Sequence, residues 1–93
     1  MHLIDITNNY SQLVQNQLNS TAANFVKVYS LGDTAVIYIE TKDDVEISLE
    51  NHNRKIREDE IEFIIKRLLT DFDGPYNIVM DKTREQVNIS INK

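Results

Sequence analysis

Phe25-Val26-Lys27-Val28-Tyr29-Ser30-Leu31-Gly32-Asp33-Thr34-Ala35-Val36-Ile37-Tyr38-Ile39-Glu40-Thr41 is the stretch that decides the fold. Two runs rich in β-branched and aromatic residues flank Gly32-Asp33, a two-residue loop of the kind that closes a tight hairpin. A two-residue turn fixes the register. Val26 then stands opposite Ile39, Val28 opposite Ile37 and Ser30 opposite Ala35 on one face. The other face sets Phe25 opposite Glu40, Lys27 opposite Tyr38 and Tyr29 opposite Val36. The first face is aliphatic and is expected to meet the core, whereas the second mixes aromatics with charge.

Downstream, Lys42-Asp43-Asp44 turns the chain into a third strand, where Val45, Ile47 and Leu49 alternate with Glu46, Ser48 and Glu50. Upstream, His2–Ile6 reads as a short strand. Thr7-Asn8-Asn9 then offers N-cap residues to a first helix whose apolar face is Tyr10, Leu13, Val14 and Leu18. A second helix carries the stripe Ile61, Ile64, Ile65, Leu68, Leu69 and Phe72, and Gly74-Pro75 stops it. Glu58, Asp59 and Glu60 suit the positive end of its dipole. With Arg57 at N-cap, Ile56 and Ile61 form a hydrophobic staple and Glu60 fills N3. Tyr76–Asp81 and Glu85–Asn92 read as a closing hairpin. The expected fold is α+β, in the order β-α-β-β-β-α-β-β, with two helices on one face of a largely antiparallel sheet.

Ninety-three residues are expected to form a single domain, 1–93, with a small core that a dimer would help to stabilise. With 41% hydrophobic and 27% charged residues, the composition is that of a globular protein. The absence of cysteine excludes disulfides, thiolate metal sites and cysteine nucleophiles. Met1–Asp5 lacks the basic and long apolar segments of an export signal, so the expected compartment is the cytoplasm. No apolar run reaches the ~18 residues of a membrane span. A net charge of −5 disfavours broad nucleic-acid binding.

Searching the residues for chemistry yields little. Glu40-Thr41-Lys42 after Asp33 has the look of a metal-dependent nuclease signature. The two carboxylates bound one strand, however, and lie about 23 Å apart, too far to share a metal ion. Asp71-Phe72-Asp73-Gly74 opens like a calcium loop but lacks the later acidic ligands. His2 and His52 have no ligand partner at helical spacing. No catalytic residue, cofactor or metal ligand is therefore assigned, and an unrecognised small enzyme stays open as one alternative.

The candidates for recognition are surfaces. Tyr29, Tyr38 and Lys27, with Phe25, could stack bases, but Glu46 and Glu50 are expected to alternate onto that face and repel phosphates. A protein contact suits it better. Phe63 lies nearly opposite the Ile61–Phe72 stripe and reads as an exposed aromatic, a second candidate contact. Asn51–Arg57 holds three of the chain's ten Lys/Arg and one of its two histidines. His52, Arg54 and Lys55 are its candidate anion contacts, set against an ordinary solvated loop.

Phe25–Gly32, Asn53-Arg54-x-Ile56, Asp59-Glu60-Ile61 and Leu68-Leu69 resemble a family of short proteins from lactic-acid bacteria, streptococci and enterococci, domain of unknown function 1827. Ile4-x-Ile6-Thr7-Asn8-x-Tyr10-Ser11-x-Leu13-Val14 extends the likeness, which weakens after Asp71. The resemblance implies a stand-alone cytosolic bacterial protein and carries no site residues. The leading expectation is a non-enzymatic module that binds a protein partner or forms a homodimer through Phe63 or the Tyr29/Tyr38 face. The alternative is a regulator that contacts nucleic acid or another polyanion through residues 51–57.

Overall fold

The computed structural model describes residues 2–50, 56–69, 75–81 and 86–92. Strand β1 is Ile4–Asp5, followed by a 3-10 turn at Thr7–Tyr10 and helix α1, Ser11–Ser20. Then come β2 (Phe25–Leu31), β3 (Thr34–Glu40), β4 (Asp44–Glu50), α2 (Glu58–Leu68), β5 (Asn77–Asp81) and β6 (Gln86–Asn92). The strands form one six-stranded sheet in the order β1-β2-β3-β4-β6-β5, antiparallel at every seam. This is the α+β fold and element order that the hydrophobic periods dictate.

The central hairpin pairs as its two-residue turn requires, from Phe25 with Glu40 through to Leu31 with Thr34. Gly32 takes φ +60 and nothing lies within 4 Å of where a Cβ would stand. Its requirement is conformational rather than steric: a glycine at the first central position is what a II′ turn needs. The far end of α1 meets the same demand without a glycine. Ala22, just past the C-cap Thr21, sits at φ 55, a left-handed conformation that a Cβ disfavours.

The layering differs from the expected arrangement. Val36, Leu31, Val45, Ile47, Leu49, Val87, Ile89 and Ile91 form one buried cluster with Ile56, Ile61 and Ile64 of the α2 region. Register puts these strand residues on the face that also carries Tyr29 and Tyr38. Val26, Val28 and Ile39 are buried too, yet they point to the other face and stand outside that cluster. The element packed against β2 is α1, which offers half-buried Leu13, Val14 and Leu18. The helices therefore cover opposite faces, each over a different part of the sheet. The sequence pointed to one face because Val26, Val28, Ile37 and Ile39 look like the hairpin's sole core side. In fact Val36 is as fully buried as Val28.

Helix α2 starts as its residues require. Arg57 is extended at N-cap (φ −88, ψ 154), and its backbone N–H donates to Glu60 Oε1 at 3.1 Å. An arginine side chain cannot accept the N3 amide as serine would, so Glu60 closes the capping box from one side only. Ile56 and Ile61, the two staple residues, are both buried. The helix ends at Leu68 with Leu69 as C-cap. The expected Gly74-Pro75 stop and Phe72 fall in a segment whose glycine and phenylalanine lie outside the described residues. No helix among the described residues is long and apolar enough to cross a membrane.

Candidate interaction surfaces

The aromatic end of the sheet is built by β1, β2 and β3. Phe25 and Tyr38, diagonal neighbours across the β2–β3 seam, meet edge to face at 5.9 Å between centroids, interplanar angle 81°. Lys27 Nζ lies 5.8 Å above the Phe25 ring and 3.4 Å from Asp5 Oδ2. The Tyr38 hydroxyl donates to Glu40 Oε2 at 3.1 Å. Burial, that hydrogen bond and the Glu40 charge push the Tyr38 phenol up to about 12. Burial, followed by the Asp5 charge, also raises Tyr29. Asp5 is held below its ordinary value by two hydrogen bonds from Thr7, with Lys27 adding to them.

The acids on this face are not the ones expected. Glu46 pairs with Ile39 and Glu50 with Ala35, so both lie on the opposite face, and Tyr38 faces Ile47 instead. Strand β4 alternates as its sequence implies, but its phase against β3 is the reverse of the expected one. Asp5 and Glu40 supply the negative charge here, and both are engaged locally. Tyr29 and Tyr38 are half-buried against the main core, which leaves Phe25, 43% exposed, as the open aromatic.

Phe63 does not stand out from the helix. It is half-buried and packs against the core cluster. The cause is Glu60, only 1% exposed, which moves the buried arc of α2 away from the centre of the apolar stripe. At 100° per residue the arc centres near Ile64, so Phe63 and Ile65 become its two flanks. His52, Arg54 and Lys55, the candidate anion contacts, lie outside the described residues.

Glu60 itself is a buried carboxylate held from three directions. Arg57 donates its backbone N–H and, at 3.3 Å, its Nε–H to Oε1, while Thr34 Oγ1 donates to Oε2 at 3.4 Å. Thr34 is 1% exposed. This ties the helix start to the hairpin turn, 26 residues away. The sequence showed Glu60 as a capping residue but held no sign of Thr34, because a buried threonine beside a turn looks like any strand threonine.

The surface that sequence reading missed is the far edge of the sheet. Among the described residues, strand β5 pairs with β6 alone and ends the strand order. Ile78 is 43% exposed, Val79 60% and Tyr76, just before the strand, 44%. The opposite edge, β1, is two residues long, the short kind of edge that resists pairing. Beside β5 runs a groove of about 260 Å³, lined by Ile61 and Ile65 of α2, by Tyr76 and Ile78, and by the carboxylates Glu58 and Glu62. Among the described residues no three His, Asp or Glu side chains converge as a metal ion would need.

The chain's likeness to known proteins names no activity. The chain belongs to the family described as domain of unknown function (DUF1827), which matches residues 1–92. It is similar to a conserved protein of unknown function from Streptococcus thermophilus LMG 18311. That crystal structure aligns with a TM-score of 0.89 at 27% identity, over 99% of this chain and 96% of that one. No curated protein matches.

Proposed function

We propose that this DUF1827 protein is a non-enzymatic interaction module that docks a partner protein along the β5 edge. One observation carries the reading: Tyr76, Ile78 and Val79, three of its large exposed apolar residues, gather on or just before an edge strand that, among the described residues, pairs on one side only. Such an edge presents unmatched backbone donors and acceptors together with apolar surface, and both favour association. The aromatic end of the sheet is a weaker candidate, because Lys27, Tyr38, Asp5 and Glu40 already satisfy one another.

Affinity capture from native cytosol tests this, comparing the wild type with Val79→Lys. Lysine on an edge strand opposes strand addition, and Val79 is exposed enough to be replaced without unfolding the chain. The reading expects a partner that the wild type retains and the variant loses. Equal capture by both, at equal melting temperature, would overturn it.

A further inference from the structure

The geometry points to the occupant of this edge: an extended segment of a basic partner protein, added as a seventh strand beside β5, its apolar side chains seated in the α2–β5 groove. This rests on the reading of β5 as a docking edge and goes further, to the chemistry of what docks. Side chains on a strand alternate between faces. Ile78 pairs with Ile89 and so faces α2, whereas Val79 pairs with Asn88 and faces away. A strand added beside β5 would alternate likewise, sending every second side chain under the flank of α2 formed by Glu58, Ile61, Glu62 and Ile65.

The groove's size and charge select the ligand. At about 260 Å³ it falls below the roughly 300–1,000 Å³ typical of small-molecule pockets, so it suits a few side chains rather than a cofactor. Its floor is Ile61, Ile65, Tyr76 and Ile78, which fits aliphatic side chains. Its described charges are the carboxylates Glu58 and Glu62, which fit Lys or Arg flanking them. The same charges disfavour a second copy of the chain. A two-fold pairing of β5 with itself would bring two sets of Glu58 and Glu62 to one seam, between molecules that each carry −5.

Selection of random heptapeptides on the immobilised full chain tests the inference without presuming a sequence. Enriched peptides should alternate Val, Ile or Tyr with Lys or Arg. Synthetic copies should shift the amide resonances of residues 77–79 and of α2. Replacing Glu58→Gln and Glu62→Gln together should weaken binding by about fivefold, and added salt should do the same. Methylating alternate peptide nitrogens should abolish binding, because a ladder needs those donors. Overturning results are no enrichment, acidic or uncharged consensus peptides, shifts confined elsewhere, or indifference to the two substitutions. A concentration-dependent dimer dissociated by Val79→Lys would assign the seam to a second copy. That result would sink the basic-segment inference while leaving β5 as the docking edge; unchanged cytosolic capture by Val79→Lys would sink both.

Discussion

Glu60 holds three jobs in one side chain: it caps α2, receives Arg57 and meets Thr34 from the hairpin. A buried carboxylate is tolerated only where its lone pairs are used, and removing one partner strands the others. Glu60→Ala should therefore cost about 2 kcal/mol in urea unfolding, well above the few tenths typical of a surface change. Its legibility was partial. Spacing from Arg57 revealed the cap, but burial depends on Thr34, which is distant in sequence. Tyr38 gives a second test at this scale. Burial and the Glu40 hydrogen bond push its folded phenol from an ordinary 10.0 up to about 12. The folded chain therefore keeps a proton that the unfolded chain releases, and stability falls as pH rises from about 10 towards 12. Tyr38→Phe should remove the last phenolate absorbance step in an alkaline titration and flatten that loss. Both would be refuted if the wild-type tyrosines ionised together near 10.

At the scale of elements, the β2–β3 hairpin was readable to the residue, because Gly32-Asp33 fixes both turn and register. Helix α2 was readable in position but not in rotation. Its apolar stripe ignored Glu60, and the buried arc turned accordingly, drawing Phe63 inward and leaving Ile65 beside the groove. Just past the C-cap of helix α1, Ala22 sits at φ 55, where glycine would be unstrained. Ala22→Gly should stabilise the chain by about 1 kcal/mol, raising the melting temperature by roughly 4–8 °C. Scanning calorimetry checks this; an unchanged or lower temperature would mean that the left-handed residue carries no strain. A matched Gln15→Gly, in the middle of the helix, should instead destabilise by a similar amount.

Across the whole molecule, the chain crosses from β4 over one face as α2, lays β5 at the edge and returns inside it as β6. Nothing in the sequence distinguishes that order from one with β5 inside, since Asn77–Asp81 and Gln86–Asn92 are both strand-like. Yet the order makes β5 the open edge among the described residues and places the groove beside it. The helices split between the faces for a separate reason: β2 buries Val26 and Val28 on one side and Leu31 on the other. The central claim is that this open edge docks a partner. The most direct measurement is hydrogen exchange at the β5 amides, Asn77–Val79, in the free chain and in any complex captured from native cell lysate. Exchange there should slow on binding, and the slowing should be lost together with the partner in Val79→Lys. Protection that appears on another surface while β5 exchanges unchanged would contradict it.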